Sequence, residues 1–130
     1  MTRMVALGDP GPKARELYGA VAEAQQAALS AVRPGVPAGA VHRAAVETLK
    51  KHGLDKAFVH STGHGVGLEI HEAPRLARGE KTRLEAGMVV TIEPGAYVEG
   101  IGGVRIEDMV LVTEGGCEVL TPTPKDLRVL

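Results

Sequence analysis

The chain has 130 residues, of which 44% are hydrophobic and 24% charged, a composition typical of one globular domain and not of a disordered segment. Fifteen Lys and Arg against sixteen Asp and Glu give a net charge of −1, and Trp is absent, so the sequence carries neither the basic patch nor the stacking platform of a nucleic-acid partner. The single cysteine excludes an internal disulfide, and no apolar run is long enough to cross a bilayer. We therefore expect a cytoplasmic protein with no nucleic-acid or membrane partner.

The first half of the chain predicts two amphipathic helices. After a short apolar piece at Thr2–Leu7 and a turn rich in Gly and Pro, apolar residues recur at helical spacing from about Pro12 to Val32. A second helix is predicted over Gly39–Lys51, with Gly53 as its stop. Both helices are interpreted as structural.

The second half favours strands. Ser61–Gly67 is interpreted as a glycine-rich bend, and the remaining apolar or β-branched runs predict strands at Ala57–His60, Met88–Ile92, Val104–Thr113 and Glu118–Leu120. Two helices followed by several strands predict one α+β domain over residues 1–130, with the helices on one face of a mostly antiparallel sheet.

Common catalytic motifs are missing from the sequence. Cys117 lies in a turn without a nearby His, which disfavours a thiol nucleophile. Gly63–Gly67 lacks the helix and the Lys-Ser/Thr pair of a phosphate loop, and His71–Arg75 lacks the second His of a helical zinc motif.

Two glutamates stand out because they lie at the end of, or inside, apolar strand-like runs. Side chains alternate along a strand, so Thr91 and Glu93 are predicted to share one face, and Arg105 and Glu107 another. A carboxylate in an apolar strand needs a cation or several hydrogen-bond donors to offset its loss of hydration.

Histidines near these strands could complete a metal site. His64 lies between glycines, with His60 and His71 close to it in the sequence, and one His with two Glu is a partial ligand set for a divalent ion. The residues alone leave an alternative open, in which the His is a surface residue and each Glu faces solvent or pairs with Arg. His42 and His52, on the predicted helices, are interpreted as structural.

Four segments, in order, resemble the successive signatures of the Xaa-Pro aminopeptidase/prolidase family of pita-bread metallopeptidases: His60–Gly67, His71–Pro74, Gly87–Gly95 and Gly103–Asp108. The resemblance covers nearly the whole chain. It implies the C-terminal half of a pita-bread catalytic domain, with two amphipathic helices packed on a mostly antiparallel, curved sheet.

The resemblance also implies the metal ligands. His64, Glu93 and Glu107 match ligands of two divalent ions (Mn, Co or Zn), with Glu107 bridging the pair. Glu93 matches a residue that also handles the proton of the attacking water. Two divalent ions acidify a shared water and polarise a carbonyl, which suits peptide hydrolysis.

The remaining catalytic residues follow in the same way. His60 and His71 match histidines that position the scissile carbonyl and stabilise the charge that develops on its oxygen. Arg105 matches a residue that supports the bridging carboxylate. The resemblance therefore implies a peptidase that cleaves the bond before proline in peptides or dipeptides.

The family has two further aspartate ligands upstream, and none of the four aspartates here matches their positions: Asp9, Asp55, Asp108 and Asp126. We therefore expect a truncated part of the catalytic domain that holds one ion or none, is weak or inactive alone, and pairs as a homo-oligomer because half of the fold is uncovered. Two alternatives stay open, a non-catalytic peptide-binding module of the same fold and a purely structural fragment.

Overall fold

The computed structural model describes all 130 residues. Helix α1 spans Gly11–Ala31 and helix α2 spans Ala38–Lys51, followed by a 3₁₀ turn at Asp55–Ala57. Both helices lie within one residue of their predicted bounds, because the local signals are strong: Pro12 lies in the first turn of α1, and a glycine with positive φ follows each helix. No helix in the structure is long and apolar enough to pass through a membrane.

The strands follow mainly in the second half of the chain: β1 Val5–Ala6, β2 Gly63–Gly65, β3 Glu72–Leu76, β4 Val89–Ile92, β5 Gly95–Val98, β6 Gly102–Arg105, β7 Asp108–Thr113, β8 Gly116–Val119 and β9 Arg128–Val129. A five-stranded antiparallel sheet has the order β3-β2-β4-β7-β8. Strands β5 and β6 form a separate antiparallel pair, and β1 and β9 a short parallel pair. The α+β expectation, with two helices and a mostly antiparallel sheet, is confirmed.

The region around β2 was wrongly predicted. Ala57–His60 contains no strand, and the expected bend contains strand β2 in the interior of the sheet. A Cβ on Gly63 would lie 1.8 Å from the Thr91 carbonyl oxygen, and one on Gly65 would lie 2.1 Å from the Ala73 carbonyl oxygen. These glycines therefore permit close approach of neighbouring backbones in a sheet, and do not mark a turn.

The predicted strand Val104–Thr113 is broken into β6 and β7. The break lies opposite Pro94, which has no N–H to donate to a strand ladder. Strand β8, which pairs with β7, begins two residues before the predicted Glu118, and strands β1, β3, β5 and β9 were not predicted.

The pairing register is the same on both sides of this break. Ile92 pairs with Asp108 between β4 and β7, and Gly95 pairs with Arg105 between β5 and β6. The two hairpin segments are thus one long two-stranded ribbon with an interruption. Glu93 and Glu107 lie opposite each other at that interruption.

The core lies between the helices and one face of the central sheet. Its largest cluster joins residues of both helices to strand residues such as Val90, Ile92 and Val110, all without exposed surface. A second cluster packs α1 against β5, β6 and Ile106. The opposite face of the ribbon, which carries Glu93 and Glu107, is therefore left for polar side chains.

Candidate functional site

The largest cavity of the molecule, about 770 Å³, opens beside β2, β3 and the interruption of the ribbon. Nine residues line it, and Ala73 is the one hydrophobic residue among them. Most of the predicted site residues are in this lining: His60, His64, His71, Glu93 and Arg105. Glu107 does not line the cavity, although its backbone lies opposite Glu93.

The imidazole of His64 is held in one tautomer. Its Nδ1 lies 2.9 Å from the Gly65 carbonyl oxygen, which can only accept a hydrogen bond, so Nδ1 carries the proton. In the neutral ring Nε2 then has a free lone pair, and it lies 3.3 Å from Glu93 Oε1. A histidine that binds a metal commonly has its second nitrogen fixed in this way.

Glu93 is fixed by the sheet on which it lies. The Thr91 hydroxyl donates to Glu93 Oε1 at 2.9 Å, which confirms that these two side chains share a face. The Glu93 N–H donates to the Thr62 carbonyl at 2.6 Å. The side chains of His64 and Glu93 are only 14% and 16% exposed, so water screens their interaction weakly.

Glu93 and Glu107 form a cross-strand pair whose N–H groups point away from each other, to Thr62 and to Thr2. Side chains are closest in such non-hydrogen-bonded pairs, with Cα atoms about 4.5 Å apart in a regular sheet. Two like charges directly opposite each other destabilise a sheet. A cation near both carboxylates would remove that cost.

The Glu107 carboxylate has its own partners. Thr2 donates its hydroxyl to Glu107 Oε2 at 2.5 Å, and the N-terminal ammonium lies 3.5 Å from the same oxygen. Arg105 Nε donates to the Thr2 hydroxyl oxygen at 3.3 Å, so Arg105 and Glu107 share one face of the ribbon, as predicted.

No group of three or more His, Cys, Asp or Glu side chains lies close enough together to hold a metal ion. The structure brings His64 and Glu93 together, whereas the carboxylate of Glu107 is turned to Thr2. The donor types nevertheless fit a divalent ion, because a nitrogen with a fixed lone pair faces a carboxylate and a second carboxylate lies across the ribbon.

His60 lies at the rim of the cavity and is also held in one tautomer. Its Nδ1 donates to the Ser61 carbonyl oxygen at 2.8 Å, and its Nε2 lies 2.9 Å from the Tyr97 hydroxyl. The ring of Phe58 packs edge-on against it. Tyr97 was not among the predicted site residues, although Glu93, Gly95 and Tyr97 alternate along extended chain and so share a face.

His71 lies just before β3, next to His64. The two ring centres are 4.5 Å apart, with the planes at 72°. His71 is exposed, and no hydrogen bond fixes its ring, in contrast to His60 and His64. The structure thus places His71 at the open side of the cavity.

The two histidines that were interpreted as structural do not line the cavity. His52 lies 2.7 Å from Glu23 on the surface, and His42 Nδ1 lies 2.9 Å from the Thr62 hydroxyl. Burial lowers the pKa of His42 below its ordinary value, and its neighbours His60 and Arg78 lower it further. His42 supports the segment whose Thr62 carbonyl holds Glu93.

The sequence pattern that defines metallopeptidase family M24 matches residues 1–114. The chain belongs to this family. It is 50% identical over 127 residues to the Xaa-Pro dipeptidase of Pyrococcus furiosus, covering 98% of this chain and 36% of that protein. It is 43% identical over 129 residues to the Xaa-Pro dipeptidase of Lactobacillus helveticus, covering 99% of this chain and 35% of that protein.

Solved structures of a Xaa-Pro dipeptidase and a prolidase share the fold. A Xaa-Pro dipeptidase from Bacillus anthracis superposes with a TM-score of 0.96 at 47% identity, covering 98% of this chain and 36% of that chain. The prolidase from Pyrococcus horikoshii gives a TM-score of 0.93 at 45% identity, covering 96% of this chain and 36% of that chain. The chain thus spans about a third of the length of the relatives it matches. The expected family and the pita-bread fold are confirmed.

Proposed function

We propose that this chain is the C-terminal part of the catalytic domain of a dimetal Xaa-Pro peptidase, which hydrolyses the peptide bond before proline in dipeptides or longer peptides. The observation that carries the proposal is the pairing of Glu93 with Glu107 across the ribbon, next to the fixed lone pair of His64. Relatives named Xaa-Pro dipeptidase match 98% of the chain, which supports the substrate class.

In this proposal His64, Glu93 and Glu107 hold divalent ions, and Mn, Co or Zn would suit one nitrogen and several carboxylate oxygens. Such ions supply Lewis-acid polarisation of a carbonyl and make nearby water more acidic. Glu93 also accepts the proton of the attacking water at its carboxylate, which is a general-base role. Arg105 acts on Glu107 through the Thr2 hydroxyl, which it contacts at 3.3 Å.

His60 and His71 bind the substrate carbonyl in this proposal. Both line the cavity at the side of β2 and β3, so a peptide bond placed over Glu93 would have an imidazole within reach. An imidazole N–H directed at the oxygen stabilises the charge that develops there. Because the Nδ1–H of His60 is already donated to the Ser61 carbonyl, this role requires the imidazolium form of His60, in which Nε2 carries a second proton beside the Tyr97 hydroxyl.

The experiment follows from the donor set. We expect weak binding of Mn²⁺ to the chain in calorimetric titration, and loss of that binding in His64→Ala. His52→Ala is the matched control, because His52 pairs with Glu23 on the surface and leaves the cavity intact. Equal affinity in wild type and His64→Ala would contradict the proposed site.

Activity is tested separately. We expect the 130-residue chain to hydrolyse Xaa-Pro dipeptides far more slowly, with Mn²⁺ or Co²⁺, than a chain extended upstream through the two family aspartates, because ligands are missing from at least one ion. Full turnover by the 130-residue chain would contradict this. Hydrolysis of Xaa-Ala at the same rate as Xaa-Pro would contradict the substrate class.

A second candidate function is a peptide-binding or structural module without catalysis. It is favoured by the finding that no three His, Cys, Asp or Glu side chains lie together in a metal-binding group. This module would bind a proline peptide with the same affinity in the presence of a chelator. A dependence of peptide binding on the metal would exclude it.

Two further parts of the proposal concern the setting of the protein. A homo-oligomer would cover exposed apolar side chains of the loop before β3, such as Leu68 and Ile70. A cytoplasmic location agrees with the free thiol of Cys117, because reducing compartments keep cysteines unpaired.

A further inference from the structure

Asp108 follows Glu107 directly and is the one acidic residue in the molecule that is fully buried. Its side chain points to the opposite face of the ribbon, toward helix α1. Both of its carboxylate oxygens are fully used, with donors at 2.6 to 3.1 Å from four residues: Arg3, Gln25, Thr121 and Lys125. These donors come from the N-terminal segment, from α1 and from the chain after β8, so Asp108 ties three distant segments to the start of β7.

Arg3 is the member of this cluster that reaches back toward the site. Its Nη2 donates to Asp108 Oδ1 at 2.6 Å, while its Nη1 donates to the carbonyl oxygens of Glu107 at 2.6 Å and of Thr2 at 2.9 Å. One planar guanidinium therefore joins the buried carboxylate to the backbone of the neighbouring Glu107. Its position is set from the buried side, where four donors hold Asp108.

The backbone of Glu107 depends on these contacts, because it lies in the interruption of the ribbon. Its N–H donates to the Thr2 carbonyl at 3.1 Å, and its carbonyl accepts from the Thr2 N–H at 3.3 Å as well as from Arg3. Thr2 then donates its hydroxyl to the Glu107 carboxylate. The backbone of Glu107 is thus held by Thr2 and Arg3, and its side chain by Thr2 and the Met1 ammonium, not by β4.

We propose that Arg3, anchored on Asp108, is a positioning residue that fixes Glu107 across from Glu93. The ordered path runs from the buried carboxylate of Asp108 through the Arg3 guanidinium to the Glu107 carbonyl and to Thr2. Its consequence for metal binding rests on the proposed function, whereas the positioning of Glu107 does not.

The guanidinium is essential to this role because of its geometry. Its planar fork donates to two sites in fixed directions at once, whereas a lysine ammonium is a compact charge on a flexible stem. Arg3→Lys would therefore keep the positive charge beside Asp108 and lose the simultaneous contact with Glu107. Lys125→Met has the opposite effect. It removes the ammonium group that lies 2.6 Å from Asp108 Oδ2 and leaves every contact of Glu107 in place.

Amide hydrogen exchange of the metal-free chain, followed residue by residue by NMR, tests the proposal. We expect the Glu107 amide to exchange about tenfold faster or more in Arg3→Lys than in wild type, since a hydrogen bond from a charged group is lost. The Val110 amide, farther along β7, reports global opening and should change much less. In Lys125→Met, Glu107 and Val110 should change by the same factor.

Three results would overturn the proposal: an unchanged Glu107 amide in Arg3→Lys, an equal change at Val110 in that variant, or a larger selective change at Glu107 in Lys125→Met. Titration with Mn²⁺ adds a second measurement, in which Arg3→Lys should weaken binding more than Lys125→Met. If wild type binds no Mn²⁺, the proposed metal function fails, but the exchange rates still decide the role of Arg3.

Discussion

The two histidine rings that face the cavity from β2 and the segment before it are oriented by backbone carbonyls. His60 and His64 each donate Nδ1–H to a carbonyl one residue ahead, so both rings present Nε2 to the cavity. The same local contact serves two different expected roles, because the surroundings of Nε2 differ: a tyrosine hydroxyl for His60 and a carboxylate for His64. The chemistry of each ring is therefore set by its neighbour and not by its own backbone.

The relative importance of two site residues is a first prediction. In a chain extended through the upstream aspartates, Glu107→Ala should reduce activity more than His71→Ala, because it removes an anion from between two cations. His71→Ala should leave metal content unchanged and cost about 10²–10³ in kcat, as for a lost oxyanion donor. Metal analysis alongside kinetics checks this, and loss of metal in His71→Ala alone would reverse the two roles.

His42 gives a prediction about pH. Its pKa in the folded chain lies below the ordinary 6.5, so the unfolded chain takes up the proton first as the pH falls. The contribution of His42 to the free energy of unfolding is therefore complete above about pH 6.5 and is lost as the pH falls toward the folded-state pKa. The free energy of unfolding should fall by at most about 1.4 kcal/mol per pH unit from this group.

The control for this prediction is His42→Asn, whose amide can replace Nδ1 beside the Thr62 hydroxyl and does not titrate. Urea unfolding between pH 7 and pH 5 should show a steeper loss of stability in wild type than in His42→Asn. Parallel pH profiles for the two proteins would show that His42 stays neutral or is equally protonated in both states.

At the scale of the elements, strand β2 is the part most sensitive to a single methyl group. The Cβ of Gly63→Ala would lie 1.8 Å from a backbone oxygen of β4, which only a shift of a whole strand could relieve. We expect this variant to lose about 3 kcal/mol of stability. It should also lose Mn²⁺ binding, because β2 carries His64.

Gly19→Ala is the matched control. Gly19 lies within α1, and a Cβ there would have no atom within 4 Å, so the change should stabilise the chain by about 0.5–1 kcal/mol through helix propensity. Urea unfolding of both variants measures the two effects. Similar changes in the two proteins would mean that β2 and β4 are not packed as closely as the structure has them.

The helices and the strands differed in how far the sequence could predict them. Helices α1 and α2 are encoded by local spacing and stop signals, so both were predicted within one residue. Strand β2 was not, because glycine indicates a turn unless the approach of a distant strand is known. The break between β6 and β7 was missed because its cause, Pro94, lies on the partner strand.

The candidate site shows the same limit. The resemblance selected five residues that the structure places around one cavity, and the alternation of strand side chains correctly paired Thr91 with Glu93 and Arg105 with Glu107. Neither the resemblance nor the alternation indicated the Arg3 contacts, because Arg3 and Glu107 are 104 positions apart in the sequence. Contacts of that kind depend on the complete fold.

For the whole molecule, the exposed apolar residues lead to a prediction about assembly. Leu7, Leu68 and Ile70 expose 85% or more of their surface, and β3 and β8 are open edges of the central sheet. Exposed edges and apolar patches favour association, and identical chains favour closed two-fold contacts. We expect a homodimer in which the strands carrying Glu93 and Glu107 lie near the contact.

Light scattering coupled to size exclusion measures this directly at micromolar concentration. Leu68→Ser with Ile70→Ser should shift the mass toward one chain if the loop before β3 takes part in the contact, and Val59→Ser, another exposed apolar residue, serves as the control. A single species with the mass of one chain in wild type would refute the dimer.

The continuous register of the ribbon has a consequence for the two carboxylates at its interruption. The register of two paired strands can change only by a whole number of residues. A slip by one residue would turn every side chain of the shifted strand to the other face, which would move Ile92 or Asp108 out of the core. The angle between the two halves of the ribbon can therefore differ at this interruption without changing which residues are paired. Glu93 and Glu107 stay opposite each other in either case.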